Sequence, residues 1–218
     1  MAGEFKESRT RENLMRAFAG ESQARNRYTI AAETAREQGL FAISQIFLFT
    51  ADQERAHAAR FYDLLKNLNG TTIAIDGSYP VDQFDNVAEL LRAAQHNEME
   101  EAGDVYQAFG KTAREEGFLE VSSAFIQIAR IEAVHGKRFG KLAELLEENQ
   151  YFESRREEAW MCLNCGHIYH GKMAPQACPV CRHPRGYFIP ASLAPYLNEE
   201  FMEQKWGGGW KGRRRRIF

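Results

Sequence analysis

Glutamate interrupts four apolar helical stripes at mid-length, and this placement constrains the chain more than its composition does. Followed in alternating steps of four and three, one stretch reads Ile43, Phe47, Thr50, Glu54, His57, Phe61, Leu64, Leu68. Another reads Val121, Phe125, Ile128, Glu132, His135, Phe139, Leu142, Leu146, and a third Val87, Leu91, Ala94, Glu98, Glu101, Val105, Ala108, Thr112. The earliest places Leu14, Phe18, Glu21 and Tyr28 on the side of Ala17, Ala24 and Ala31. A single such glutamate could reach water on its aliphatic stem. Five glutamates and two histidines at one depth of four helices make a different case, because unpaired buried carboxylates repel one another and each costs several kcal/mol.

A pair of divalent cations resolves the conflict by neutralising the carboxylates and using their lone pairs. The spacing agrees. Glu54-x-x-His57 recurs as Glu132-x-x-His135, and a step of three puts both side chains on one helical face. One glutamate from each of two helices and Glu-x-x-His from the other two is the donor set of dinuclear carboxylate bundles. Carboxylate and imidazole donors suit iron or manganese better than zinc alone. Glu101 exceeds the minimum set and faces a spare imidazole, His57, so the two are expected to exchange as ligands when the metal changes oxidation state.

Glycine after polar residues at Gly39, Gly70 and Gly117 predicts helices over 10–37, 40–68, 83–116 and 118–149. Short links make the first two antiparallel neighbours, and likewise the last two. The segment 69–82 (NGTTIAIDGSYPVD) is long enough to run the length of a bundle, so the expected fold is mainly α, a ferritin-like four-helix bundle with one long crossover. Residues 1–152 are assigned to it.

All four cysteines lie between Cys162 and Cys181, behind a charged linker at 153–159. Cys162-x-x-Cys165 and Cys178-x-x-Cys181 read as two knuckles around one tetrahedral metal, within a small domain at 153–190. The start of the chain lacks the apolar core of a secretory signal, and no apolar run approaches membrane-span length. A cytoplasmic protein is therefore expected, in which disulfides are disfavoured. Zinc and iron both fit four thiolates. A zinc ribbon would be structural or bind nucleic acid, whereas an iron would carry single electrons to the neighbouring bundle.

The segments AGESQARNRY (19–28), DQERAHA (52–58), Glu98-Met99-Glu100-Glu101 with Tyr106 and AREEGF (113–118), IEAVHGKRF (131–139) and CPVCRHP (178–184) together resemble the rubrerythrins. That resemblance implies a non-haem di-iron centre, oxo- and carboxylate-bridged, and a rubredoxin-like domain holding one iron on Cys162, Cys165, Cys178 and Cys181, with zinc possible there as isolated. It implies a homodimeric peroxidase that reduces hydrogen peroxide in oxidative stress defence. Electrons would come from a separate NAD(P)H-dependent donor protein and pass between subunits. Position by position, Glu54 and Glu132 correspond to bridging carboxylates, and Glu98 and His135 to the remaining ligands of one iron. Glu21 corresponds to a ligand of the other iron, which alternates between Glu101 when oxidised and His57 when reduced. Tyr28 and Tyr106 match tyrosines that hydrogen-bond to ligand carboxylates.

Two other readings start from the same residues. One is a ferroxidase or dioxygen reductase at the same site. The other is a nucleic-acid-binding zinc ribbon on a structural bundle, using the basic tail. Six basic and no acidic residues lie in 205–218, so the overall charge of −2 conceals −8 over residues 1–204. Residues 191–218, including Arg213 to Arg216, read as a solubilising tail. His96 reads as a solvated helix residue, and His167, His170 and His183 as hydrogen-bonding or surface groups.

Overall fold

The computed structural model describes residues 5–195. Helix α1 spans Arg9–Glu37, α2 Phe41–Asp63, α3 Val87–Glu100, α4 Tyr106–Glu115 and α5 Leu119–Glu147, with a π-helical turn at Glu101–Val105 joining α3 to α4. Local chemistry fixes the ends. Ser8 caps α1 by accepting from Arg11 N at 3.1 Å, and Asn86 caps α3 by accepting from Ala88 N at 2.7 Å. Gly39 (φ 74°) and Gly117 (φ 86°) reverse the chain after α1 and α4 in the left-handed conformation glycine tolerates best. These reversals pair α1 with α2, and α3–α4 with α5, as expected.

The crossover leaves the foot of α2 and climbs beside α1. Asp76 meets Arg16 at 2.6 Å, Pro80 O accepts from Gln23 at 3.3 Å, and Asp82 meets Arg27 at 2.7 Å. The bundle interior then divides by depth. Leu14, Phe61, Tyr106, Phe125 and Ile128 form one apolar cluster, and Tyr28, Ile43, Phe47, Leu91, Phe139 and Leu142 form another. Glu21, Glu54, Glu98, Glu132, His57 and His135 are buried between them.

Three expectations need correction. The second helix stops at Asp63, and Lys66–Leu68 is a separate 3-10 turn. The third begins at Val87, because Asp82 is drawn aside by Arg27 and Asn97, and Asn86 supplies the cap. Its stripe also changes phase. The π-turn inserts one residue, so beyond Glu98 the buried positions are Ala102, Tyr106, Gly110 and Ala113, not Val105, Ala108 and Thr112. Gln107 Nε2 donates to Ala102 O at 3.2 Å within this widened turn.

The charged run at 153–159 is no linker. Strand β1 spans Glu153–Cys162 and is the central strand of an antiparallel sheet, flanked by β2 (Ile168–Met173) and β3 (Phe188–Pro190). Most of its charged side chains face water while its backbone pairs, with Trp160 opposite Tyr169 and Pro190. Trp160, Cys162, Ala174, Cys178 and Phe188 form a separate small core.

This unit is docked on the bundle. Tyr187 stacks on Phe41 with centroids 4.6 Å apart, and Ile189 is buried in the bundle core. The 3-10 turn Ala191–Leu193 follows, and Ala194 joins the same core, so these residues are folded and do not belong to a tail. Residues 196–218, with Arg213 to Arg216, lie outside the described residues. At the contact a Cβ added to Gly186 would stand 1.8 Å from Gly39 O. Gly186→Ala is therefore expected to destabilise the docked state by about 1–3 kcal/mol, the usual cost of overpacking. Chemical denaturation checks this, and the visible spectrum of the four-cysteine centre should not change.

Candidate metal centres

Two turns of helix build most of the first centre. Glu54 and His57 on α2, and Glu132 and His135 on α5, present side chains one turn apart, while α1 contributes Glu21 and α3 Glu98. Their donor atoms fall into two overlapping groups, Glu21, Glu54, His57, Glu132 and Glu54, Glu98, Glu132, His135, each with all atoms within 4.8 Å. Glu54 and Glu132 belong to both.

His57 Nδ1 lies 2.9 Å from Glu54 Oε2, 2.9 Å from Glu132 Oε1 and 3.8 Å from Glu21 Oε1. His135 Nδ1 lies 2.9 Å from Glu132 Oε2, 3.2 Å from Glu54 Oε1 and 3.3 Å from Glu98 Oε2. Many of these atoms nonetheless lack hydrogen bonds. Among the described residues, eight buried side-chain polar atoms have no such partner, and six of them belong to Glu21, Glu54, Glu98, Glu132 and His135. Buried polar atoms are rarely left in this state. Buried carboxylate and imidazole atoms gathered this closely, and short of hydrogen-bond partners, are a metal-ligand arrangement, so the residues fit a dinuclear centre.

Hydrogen bonds from outside orient the donors. Tyr106 donates to Glu21 Oε1 at 2.6 Å, and Tyr28 donates to Glu98 Oε1. His135 Nε2 lies 2.9 Å from Gln53 Oε1, which directs the other nitrogen, Nδ1, at the carboxylates. Tyr28 and Tyr106 were legible as candidates from the sequence; Gln53 was not, since nothing in its type or spacing sets it apart. Glu101 stands apart from both groups. It is half-buried in the π-turn, so His57, not Glu101, occupies the cluster in this arrangement.

Electrostatics show what the metals must displace. Burial, then the charges of Glu132 and Glu54, holds Glu21 well above the usual carboxylate range. Burial and neighbouring carboxylates do the same to Glu101, and raise Glu98 against the opposing effect of His135. Burial alone would lower both imidazoles, but Glu132 and Glu54 hold His57 up at about 9, and the same pair with Glu98 holds His135 at about 12. Burial, and next Glu98 and Glu21 respectively, keeps the Tyr28 and Tyr106 phenols protonated. The metal-free site thus stores protons that a divalent cation must expel. Loading with Mn(II) or Fe(II) is expected to release protons, and apparent affinity should rise about tenfold per pH unit for each proton displaced. Anaerobic chelator competition between pH 6 and about 8 checks this.

The second centre is made by two matching knuckles. Cys162 N donates to His167 O and Cys178 N to His183 O, each at 2.8 Å, and Gly166 (φ 76°) and Arg182 (φ 63°) turn the two loops in the same hand. Cys162 Sγ lies 3.7 Å from Cys181 Sγ, and Cys165 Sγ 3.7 Å from Cys178 Sγ. A tetrahedron with metal–sulfur bonds near 2.3 Å has edges of about 3.8 Å. The four free thiols therefore suit a metal. His167, His170 and His183 are outside the sulfur cluster, and His96 is exposed on α3.

The sequence matches the family model described as Rubrerythrin over residues 12–143, with a second match over 89–164. It matches the rubredoxin-like domain of rubrerythrin over residues 160–189. The chain belongs to the rubrerythrin family. It is 48% identical to rubrerythrin-1 of Clostridium acetobutylicum over 84% of this chain and 95% of that one. It is 45% identical to rubrerythrin of Porphyromonas gingivalis over 85% and 92%. Among solved structures, nigerythrin in a mixed-valence state aligns at 30% identity with a TM-score of 0.56, covering 83% of this chain and 86% of that one. Symerythrin of Cyanophora paradoxa, at 23% identity and a TM-score of 0.52 over 60% and 81%, shows the fold alone. The fold is therefore the ferritin-like bundle followed by a rubredoxin-like unit. The chain carries the family's di-iron site of carboxylate and histidine ligands and its four-cysteine site. Among the described residues, no helix is long and apolar enough to cross a membrane.

Proposed function

We propose that this chain is a peroxidase of the cytoplasm that reduces hydrogen peroxide to water. The balance is H2O2 + 2 e⁻ + 2 H⁺ → 2 H2O, in which the O–O bond breaks and two O–H bonds form. The observation that carries the reading is one chain holding both a buried dinuclear carboxylate–imidazole cluster and a four-thiol site suited to single-electron transfer. Electrons would come from a separate NAD(P)H-dependent protein through the iron on Cys162, Cys165, Cys178 and Cys181. The exposed apolar side chains Leu48, Ile131 and Val134 suit a second copy of the chain, in a homodimer passing electrons between subunits.

In this reading Glu54 and Glu132 would serve both metals, Glu98 and His135 would complete one position, and Glu21 would complete the other with His57 or Glu101. Two ferrous ions held there supply the electron pair. The protein supplies order and protons. Tyr106 and Tyr28 fix the Glu21 and Glu98 carboxylates through their hydroxyls, and Gln53 fixes the His135 ring. His57 stands in the cluster, and Glu101, whose charge acts on Glu21, would be the ligand that replaces it.

The test is an anaerobic assay in which a reductase and NADH feed the iron-loaded protein. NADH oxidation should follow added peroxide at one NADH per peroxide, since each supplies or takes two electrons. No peroxide-dependent oxidation there, with rapid dioxygen consumption or storage of added iron in a parallel aerobic assay, would replace this reading with an oxygen reductase or a ferroxidase.

A further inference from the structure

The dinuclear cluster is sealed by apolar layers above and below, so a substrate must enter from the side. A cavity of 220 Å³ lies beneath the crossover, and both Glu101 and Tyr106 line it. The 470 Å³ cavity between Phe5, Leu64 and Phe118 touches no metal-site residue. We infer that the cavity under the crossover is the route by which small hydroperoxides reach the dinuclear centre, and that Tyr79 over Gly20 sets the size it admits. The inference rests on the peroxide-reducing reading and specifies its substrate class.

Its roof is held firmly. Arg16 grips Asp76, Gln23 Nε2 donates to Pro80 O, and Asp82 takes both Arg27 and Asn97 Nδ2, the last at 2.8 Å. These contacts tie residues 76–82 to α1 and α3 across the cavity mouth. Tyr79 is 43% exposed, and a Cβ added to Gly20 would meet its Cε1 at 4.0 Å. The ring thus stands over a position of α1 that carries no side chain.

The lining suits a small neutral molecule. Arg16 and Arg27 are already paired with Asp76 and Asp82, so neither is free to hold an anionic substrate. Gln23 and Asn97 are likewise engaged in holding the roof, and Val105 and Phe109 give the lining an apolar part. The volume far exceeds the roughly 15 Å³ that one water needs, and Tyr79 limits the width of what can pass. At the inner end Tyr106 donates to Glu21, and Glu101 stands where an arriving molecule first meets the centre.

The experiment uses the full iron-loaded chain with three variants. Tyr79→Ala widens the mouth, Gly20→Leu narrows it, and Val105→Phe fills the cavity from the opposite wall at a position that does not adjoin a ligand. The first readout is the rate at which azide binds the oxidised protein, followed by its visible charge-transfer band. The second is the ratio of tert-butyl hydroperoxide to hydrogen peroxide turnover. Tyr79→Ala should raise that ratio about tenfold, equivalent to ~1.4 kcal/mol of barrier. Whichever narrowing variant retains its iron should bind azide about tenfold more slowly. A ratio and an azide binding rate both within about twofold of the parent protein would overturn the inference. Slower azide binding in a narrowing variant, beside a parent protein that does not reduce peroxide, would instead refute the proposed activity while keeping the cavity as the route to the metals.

Discussion

Glu54→Ala should leave the bundle without its dinuclear metal while the four-cysteine centre remains loaded. Glu54 lends oxygens to both donor groups, at 2.9 Å from His57 Nδ1 and 3.2 Å from His135 Nδ1, so its removal strips both positions at once. The cost to stability should grow with metal. In the metal-free protein the substitution relieves repulsion among buried carboxylates but removes a partner that holds up His57 and His135, so the variant should already be somewhat less stable than the parent. In the loaded protein the parent gains and the variant does not. Metal at about a thousand times its Kd stabilises the native state by ~4 kcal/mol. At 2–4 °C per kcal/mol for a chain of this size, that is a rise in Tm of about 10 °C. Calorimetry with and without Mn(II) checks both differences. An equal metal-dependent rise in the variant would show that Glu54 is not a shared ligand.

Cys162→Ser should separate the two centres functionally. Cys162 is fully buried, faces Cys181, and is one of five residues in the small core of the sheet unit. A core that small depends on its metal, as other minimal metal-bound units do. The visible band of the four-cysteine iron should vanish, and donor-dependent peroxide turnover should fall about a hundredfold or more, at least ~2.7 kcal/mol. Dinuclear metal content should stay at the parent level. Turnover undiminished after loss of the band would remove this centre from the electron path.

The parts of the molecule that obey a simple period were legible in the sequence. The stripes of α1, α2 and α5 run uninterrupted through their glutamates, so burial follows the steps of four and three directly. Glycine at 39 and 117 announced the reversals, and Cys-x-x-Cys twice announced the sulfur cluster. What escaped is what breaks a period or makes no pattern. The π-turn shifts the third stripe by one residue, and its trace was there: beyond Glu101 the extrapolated stripe decays to Ala108 and Thr112 while Tyr106 falls outside it. Strand β1 begins inside a charged run, pairing by backbone at Glu153 and Glu158 with an irregular register between them, where side chains such as Glu157 only need to face water. Gln53 and the Asp82–Arg27–Asn97 contact depend on which helices meet, and no local spacing encodes that. The ligand cluster was readable for a chemical reason, because a buried carboxylate is too costly to be incidental.

The most direct test of the central claim is a titration of the fully reduced protein with hydrogen peroxide, without oxygen, followed at the visible band of the four-cysteine iron. The account predicts that the band returns as peroxide is consumed, because electrons leave that centre to support reduction at the dinuclear one. A band that stays bleached while peroxide remains, and returns only when air is admitted, would contradict it.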